Sequence, residues 1–268
     1  MPANNLKILF IGDIEGALGR QGVKEILPRW QKKYQPDLII ANIENLAHGK
    51  GLTSKTVADI SGIGIDVFTG GNHTWRKQDL SDFTDLKIAT PLNDVRTLPV
   101  HRYQEISLGG QKIAIINLLG QSLMNSDTIN NPFLAIQELL PNLASDIIIV
   151  DMHAELTSEK RAMGFFLAGK VAAVIGTHTH VPTADAQILP PGTAYITDVG
   201  MAGSFSSVLG IKKEVIIEKF LTGSHIRHEL PEAGQIEINA VLLSIDRQSK
   251  NANDIKLLRE IISAPSGN

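Results

Sequence analysis

The sequence predicts an α/β protein in which two β-sheets lie between helices. Short apolar runs alternate with amphipathic stretches of helical spacing in the first third of the chain. A glycine pair between two strand-like runs indicates a hairpin in the middle, and further strand-like runs follow toward the carboxyl end. Such an order of elements is typical of layered α/β domains. A length of 268 residues is compatible with one large domain or two small ones. From the order of elements we expect a single domain over residues 1–268.

The first third of the chain predicts the order βαβαβ. Each strand is a short apolar run that ends in polar residues; the predicted strands are 7–12, 37–41 and 66–69. The stretch 20–34 is predicted to be a helix because its apolar residues recur at helical spacing; they are Val23, Ile26, Leu27 and Trp30. Thr53 can cap a second helix that ends near residue 61.

The remainder of the chain is richer in strands. Gly109 and Gly110 separate the runs 103–108 and 112–118, which we expect to pair as a hairpin. The other predicted elements are helices over 132–140 and 158–167 and strands over 146–150, 171–175 and 194–197. The segment 236–245 is apolar at both alternating sets of positions, which predicts a strand buried on both faces.

Composition excludes several classes of function. The chain has no cysteine, which rules out disulfides, Cys-ligated zinc, iron–sulfur clusters and thiol nucleophiles. The net charge of −3 argues against a stable nucleic-acid complex. No apolar run approaches the ~20 residues of a membrane span, and no signal-peptide pattern opens the chain. We therefore expect a cytoplasmic protein without membrane contact, and the sequence leaves a homo-oligomer open.

Residues of the metal-ligand type close five of the predicted strands. They are Asp13 with Glu15, Glu44 with Asn45, Asn72 with His73, then His153, and finally His178 with His180. Because the carboxyl ends of parallel strands share one edge of a sheet, we expect these side chains to meet there. Oxygen and nitrogen ligands without sulfur favour divalent ions such as Mn²⁺, Fe²⁺ or Zn²⁺. The set exceeds what one tetrahedral zinc ion needs, which favours a pair of ions.

Each of these residues also has an ordinary structural explanation. An aspartate after a strand, such as Asp13, is commonly a turn or helix cap, and His153 alone is as compatible with a hydrogen-bonded histidine as with a ligand. His178 and His180 are a stronger signal, because side chains two apart on an extended segment point the same way. Five strand ends of one chemical type, taken together, favour a metal centre.

The same motifs resemble the calcineurin-like metallophosphoesterase superfamily, and most closely its bacterial YmdB-like branch. The segments that carry the resemblance are LFIGDI (9–14), NIEN (42–45), GKGLT (49–53), GNHTW (71–75), DMHAELTSE (151–159), GTHTHV (176–181) and TDVGMAG (197–203). They span nearly the whole chain. The resemblance implies a four-layer α/β/β/α sandwich.

The resemblance also implies a dinuclear-metal phosphodiesterase that hydrolyses small nucleotides, in particular 2′,3′-cyclic nucleotides, through attack by a metal-bridging hydroxide. The alternatives are a broad-specificity phosphoesterase or nuclease and a metal-binding regulatory protein with little activity. The implied cofactors are two divalent ions, iron or manganese first and zinc or magnesium second. The implied ligands are Asp13, Glu44, Asn45, Asn72, His153, His178 and His180, and the implied general acid is His73.

Glu15 departs from the pattern of the branch, in which an apolar residue usually occupies that position. It is either a solvated neighbour of the site or an additional contact to the first ion. Lys50 can meet a substrate phosphate or remain a solvated loop residue. The remaining histidines follow no strand end and are expected to be surface or loop residues; they are His48, His101, His225 and His228.

Overall fold

The computed structural model describes residues 5–124 and 127–263, which form strands and helices. The ends of the predicted domain, 1–4 and 264–268, lie outside the described residues. The strands are β1 (Asn5–Ile11), β2 (Asp13–Ile14), β3 (Leu38–Asn42), β4 (Val67–Thr69), β5 (Ile88–Ala89), β6 (Gln104–Leu108), β7 (Gln111–Leu119), β8 (Ile147–His153), β9 (Ala173–Thr177), β10 (Gln187–Leu189), β11 (Thr193–Ile196), β12 (Met201–Ser204), β13 (Ser207–Val208), β14 (Ile211–Lys212), β15 (Gln235–Asp246) and β16 (Ala252–Ser263). The α-helices are α1 (Gly16–Tyr34), α2 (Ser54–Ile60), α3 (Pro132–Leu139), α4 (Thr157–Leu167) and α5 (Lys213–Thr222). Single turns of 3₁₀-helix cover Leu80–Phe83, Pro99–His101 and Leu140–Asn142.

The first sheet contains eight strands and joins the two ends of the chain. Its order is β2-β12-β15-β1-β3-β4-β5, and β16 pairs with β15. β1, β3, β4 and β5 are parallel, whereas β15 is antiparallel to β1, β12 and β16. The carboxyl ends of the parallel strands therefore share one edge of this sheet.

The second sheet contains six strands in the order β10-β11-β9-β8-β7-β6. Its central strands β7, β8, β9 and β11 are parallel, and the edge strands β6 and β10 are antiparallel to their neighbours. The hairpin around Gly109 and Gly110 is confirmed, because β6 and β7 flank that pair. β13 and β14 form a separate two-stranded ribbon.

Three apolar clusters hold these elements together. One packs α1 and α2 onto the first sheet, the second fills the space between the sheets, and the third packs α3 and α4 onto the second sheet. Representative members, in that order, are Leu9, Val23 and Ile26; Phe10, Ile115 and Ile149; and Val150, Ile136 and Met163. The mixed α/β class with two sheets and helices is therefore confirmed.

Several elements differ from the sequence-based prediction. α1 begins at Gly16, four residues before the predicted Arg20. A first turn that contains glycine has low helix propensity, which is why the sequence did not predict it. The Gly16 amide donates a hydrogen bond to the Asn45 carbonyl at 3.0 Å, which stabilises this turn. β15 confirms the predicted strand 236–245, with residues 236–241 all buried. α5 and β16 were not predicted from the sequence, and β16 is stabilised by long-range pairing with β15.

Candidate metal centre

The predicted ligand residues converge where strands of both sheets end. Asp13 opens β2 just after β1, Glu44 follows β3, Asn72 follows β4, His153 closes β8, and His178 follows β9. The Asp13, Glu44 and His153 side chains are fully or almost fully buried. Two sheets and both halves of the chain thus contribute to one cluster of oxygen and nitrogen atoms.

His153 lies at the middle of this cluster. Its Nε2 is 3.3 Å from Oε1 of Glu44, 3.0 Å from Oδ1 of Asn72 and 3.1 Å from Nδ1 of His178. In the described part of the chain, Glu44, His153 and His178 form a group whose candidate ligand atoms lie within 4.8 Å of one another. A carboxylate, an amide oxygen and two imidazoles at these separations suit a divalent ion of borderline hardness.

A chain of hydrogen bonds orients the His153 ring from behind. The Thr177 hydroxyl donates to Oδ1 of Asp151 at 2.6 Å, so its oxygen is an acceptor toward Nδ1 of His153 at 2.9 Å. Asn42 donates to the other Asp151 oxygen at 3.0 Å. With its Nδ1 acting as donor, His153 can present the lone pair of Nε2 to an ion, which is the usual support for a histidine ligand.

Some buried oxygens of the cluster accept no hydrogen bond, which shows whether the centre fits a cation. Oδ2 of Asp13 accepts from the His178 amide at 3.0 Å. Oδ1 of Asp13 and Oδ1 of Asn45 are buried and have no hydrogen-bond partner among the described residues. Because buried acceptors without partners are costly, a positive ion would satisfy them. The donor set therefore fits the divalent ions that the motifs imply.

Gly71 permits the close approach of the cluster. A Cβ at this position would overlap the Glu44 carboxylate and lie 2.6 Å from Nε2 of His153. No residue with a side chain could follow β4 here without displacing both groups. The glycine before Asn72 in the GNH motif is thus explained by space at the centre.

The charges of the cluster compensate one another. Burial lowers the pKa of His153, but the adjacent Glu44 carboxylate outweighs it and raises that pKa to about 9. Burial likewise opposes ionisation of Glu44, yet the positive His153 holds the pKa of Glu44 well below its usual range. Burial raises the pKa of Asp13 and lowers that of His178 to about 3. Ion binding would replace the His153 proton as the compensating charge.

His180 makes contacts different from those of His178. The φ value is 65° at His180 and 99° at His178. The segment is therefore not extended, and the expectation that the two side chains point the same way is wrong. His178 reaches His153 and, through Nε2, Oε2 of Glu155 at 3.0 Å. His180 approaches the Leu209 carbonyl with Nδ1 at 3.2 Å and lines the adjoining cavity.

His73 lies beside the cluster without joining its side-chain contacts. Its backbone amide donates to Oε2 of Glu44 at 2.7 Å, while its ring lines the cavity. Nδ1 of His73 is buried and has no hydrogen-bond partner in residues 5–124 and 127–263. Burial lowers the pKa of this imidazole. The ring is therefore available to a bound molecule.

A buried ion pair that the sequence analysis missed supports the histidine loop. Nζ of Lys160 lies 2.6 Å from Oδ2 of Asp198, and both side chains are fully buried. The same oxygen accepts from the amide of Thr179 at 3.0 Å and from its hydroxyl at 2.8 Å. A signal existed, since Lys160 shares helical spacing with the apolar residues Met163 and Leu167 of α4.

A cavity of about 300 Å³ opens beside the cluster. Its lining includes Glu15, His48, Lys50, His73 and His228, together with three aliphatic side chains, which are Leu209, Ile211 and Leu230. Glu15 is only 6% exposed, so its interpretation as a solvated neighbour is wrong.

The other histidines outside the motifs divide between surface and core. His48 and His228 are exposed loop residues, as predicted, but the sequence did not indicate that they line the cavity. His225 is exposed as well. His101 is fully buried, so of the two expected placements, surface or loop, the surface is wrong for this residue. It closes the turn Pro99–His101, where the Thr90 amide donates to its carbonyl at 2.9 Å.

Comparison with known proteins agrees with this fold and cluster. The family model described as YmdB-like protein matches residues 9–258. A 2′,3′-cyclic-nucleotide 2′-phosphodiesterase of Bacillus subtilis (strain 168) is 42% identical over 262 residues, which is 96% of this chain and 97% of that protein. The crystal structure of a novel phosphatase from Mycoplasma pneumoniae superposes with a TM-score of 0.91 at 38% identity, covering 97% of this chain and 95% of the other.

A crystal structure of a hypothetical protein from Thermus thermophilus is similar too, with a TM-score of 0.87, 34% identity and coverage of 97% and 100%. The fold is thus of the metallophosphoesterase type. The chain belongs to the YmdB-like family, which confirms the resemblance drawn from the motifs. Among the described residues, no helix has the length and apolar character needed to cross a bilayer.

Proposed function

We propose that this protein is a metal-dependent phosphodiesterase that hydrolyses 2′,3′-cyclic nucleotides. The observation that carries the proposal is the group of Glu44, Asn72, His153 and His178, in which three side chains approach Nε2 of His153 within 3.3 Å. Relatives named phosphodiesterase and phosphatase support the class, hydrolase. A small phosphodiester substrate follows from the same relatives and from the size of the cavity.

The proposed ligands divide between two ions that share Glu44. Asp13, Glu44 and His180 would hold the first ion, with Asn45 nearby. The second would be held by Glu44 together with three further ligands, which are Asn72, His153 and His178. When bound, two such ions lower the pKa of water and neutralise the phosphoryl oxygens during in-line displacement. Iron or manganese suits this oxygen and nitrogen set best, with zinc and magnesium as alternatives.

His73 is the proposed general acid. Its ring lines the cavity while its backbone amide is bonded to the proposed bridging residue Glu44. The imidazole would hold a proton within reach of the departing ribose oxygen and release it as the ester bond breaks. Such proton transfer is typically worth about 10²–10⁴ in rate. The apolar and basic lining around it would orient the nucleoside.

The proposal extends to the layer arrangement, the domain organisation and the location of the protein. The order of α1, the first sheet, the second sheet and α3 with α4 supports a four-layer α/β/β/α sandwich. We also propose one functional domain over residues 1–268, since the early Asp13 and the late His180 serve one centre. A stable fragment that ends near residue 125 and still binds both ions would contradict this. Cytoplasmic location remains part of the proposal.

Metal analysis and a substrate panel test the function together. Purified protein loaded with Mn²⁺ should contain two ions per chain by inductively coupled plasma mass spectrometry. It should hydrolyse 2′,3′-cyclic AMP and bis-p-nitrophenyl phosphate faster than the monoester p-nitrophenyl phosphate. Glu44→Gln should lose both ions, whereas Glu214→Gln, an exposed charge-matched control, should keep them. A single ion, or a preference for the monoester, would refute the proposal.

A further inference from the structure

The carboxylate of Glu15, beside the metal centre, has no hydrogen-bond or ion-pair partner among the described residues. Glu15 follows β2 and is 6% exposed. Glu15 also lines the cavity. Since the protein supplies no donor to this mostly buried carboxylate, a molecule bound in the cavity can supply one.

Three glycines lie close to this carboxylate. A Cβ at Gly210 would overlap Oε2 of Glu15, and one at Gly49 would lie 2.8 Å from Oε1. A Cβ at Gly203 would lie 3.5 Å from Oε2. A side chain at Gly210 or Gly49 would crowd the carboxylate, and Gly49 lines the cavity together with Glu15.

Aliphatic side chains form the cavity wall next to Glu15. Cδ2 of Leu230 lies 3.5 Å from the position of a Cβ at Gly49, the same point that is 2.8 Å from Oε1 of Glu15. Leu209 and Ile211 line the same cavity. An apolar wall beside a buried acceptor matches an uncharged molecule that has a flat or aliphatic body and a hydrogen-bond donor.

The segment that carries Leu230 is fastened to the neighbouring ribbon. The Lys212 amide donates to the Glu229 carbonyl at 2.8 Å, and Nζ of Lys212 reaches Oε2 of Glu229 at 2.8 Å. The wall is therefore attached at the residue directly before Leu230. A wall held in this way can select among molecules by shape.

Glu15 lies outside the described group whose ligand atoms are within 4.8 Å of one another, but so do Asp13 and His180, which are proposed ligands of the first ion. Metal content must therefore be measured to separate a metal contact of Glu15 from a contact with the substrate. The basic residues Lys50 and His228, which also line the cavity, are exposed. An uncharged donor from the substrate fits the buried position better than either.

We infer that Glu15 is a specificity-determining residue that binds the nucleoside part of the substrate. Its carboxylate accepts a hydrogen bond from a base N–H or a ribose hydroxyl while Leu209 and Leu230 pack against the nucleoside. This inference rests on the proposed function, which supplies nucleotides as the substrate class. It adds the group of the substrate that the protein reads beyond the phosphodiester.

Glu15→Gln tests the inference, with Glu214→Gln as control for the change in charge. The substrates are 2′,3′-cyclic AMP and bis-p-nitrophenyl phosphate, which has no donor. For Glu15→Gln we expect kcat/KM on the nucleotide to fall about 10- to 100-fold further than on the nitrophenyl ester, mostly through KM. Manganese content and calorimetric Mn²⁺ affinity should match the wild type. The 5′-deoxy analogue of 2′,3′-cyclic AMP distinguishes the two possible donors. If Glu15→Gln still lowers kcat/KM on this analogue, the donor is the base N–H; if it no longer does, the donor is the 5′-hydroxyl.

Three outcomes overturn or isolate the inference. Equal losses on both substrates mean that Glu15 does not read the nucleoside. Loss of manganese from Glu15→Gln makes it a metal contact instead. If the wild-type protein fails to hydrolyse 2′,3′-cyclic AMP, the proposed function fails. Calorimetric binding of 3′-AMP to the manganese-loaded protein then still decides the role of Glu15. The inference holds if Glu15→Gln weakens that binding about tenfold or more, and it fails if the binding is not weakened.

Discussion

Replacement of Thr177 by valine tests whether the hydrogen-bond chain behind His153 sets up the metal centre. Valine keeps the branched shape of threonine but removes the hydroxyl that joins Asp151 to His153 at 2.6 and 2.9 Å. Both partners are fully buried. The substitution therefore leaves a carboxylate oxygen and an imidazole nitrogen without their bonds, in a place that water does not reach.

The expected cost follows from those two bonds. A hydrogen bond to a charged group contributes about 1.5–3 kcal/mol, and a buried partner left unsatisfied adds to the loss. We expect the free energy of unfolding of Thr177→Val to fall by about 2–3 kcal/mol, which for a chain of this size lowers Tm by roughly 5–10 °C. Loss of such an orienting partner typically weakens metal affinity about 10- to 100-fold.

Urea unfolding of the metal-free protein and calorimetric titration with Mn²⁺ measure the two effects separately. Thr177→Ser is the matched control, since it retains the hydroxyl and loses only a methyl group. The serine variant should keep near wild-type Mn²⁺ affinity. If the valine variant binds Mn²⁺ as tightly as the serine variant, Thr177 does not orient His153 and the reasoning is wrong.

Further predictions concern the general acid, the glycine at the centre, the buried ion pair and the ions. His73→Ala should keep both ions and its Tm but lose about 10²–10⁴ in kcat on 2′,3′-cyclic AMP, with a smaller loss on bis-p-nitrophenyl phosphate, whose leaving group needs no proton; near-normal turnover or a missing ion contradicts the role. Gly71→Ala should displace the Glu44 carboxylate and lower the metal content measured by mass spectrometry; full content would show that the cluster can yield. Lys160→Met should leave Asp198 buried and unpaired and cost about 3–5 kcal/mol in urea unfolding, and a Tm equal to that of the wild type would disprove the buried pair. Treatment with EDTA should abolish hydrolysis and added Mn²⁺ should restore it, whereas activity that survives complete metal removal would exclude a metal-dependent reaction.

The order of polar residues at strand ends was readable from the sequence because it depends on local pattern. Short apolar runs predict strands, and residues such as Glu44 and His153 then follow from where the runs end. The helix spacing around Ile26 and the glycine pair at Gly109 are equally local signals. The family could be inferred for the same reason, since its motifs lie at these strand ends.

The distances that make those residues a centre depend on pairing between distant segments. β15 joins the first sheet more than 220 residues after β1, and no local pattern states that Gly71 must leave room for Glu44. The position of His180 was likewise unpredictable, because its left-handed backbone departs from the extended geometry assumed for its segment.

Residue order alone defines which chemical groups this protein can bring to an ion, whereas the distances between those groups depend on the tertiary fold. In the sequence Lys160 is one more helix residue, and only the fold places it 2.6 Å from Asp198. Likewise, only the fold places Gly210 against the carboxylate of Glu15. Burial and partners depend on contacts between segments far apart in the chain, and they set the energy of a charged group through desolvation and the nearest opposite charge or donor. A pattern of neighbouring residues contains neither quantity.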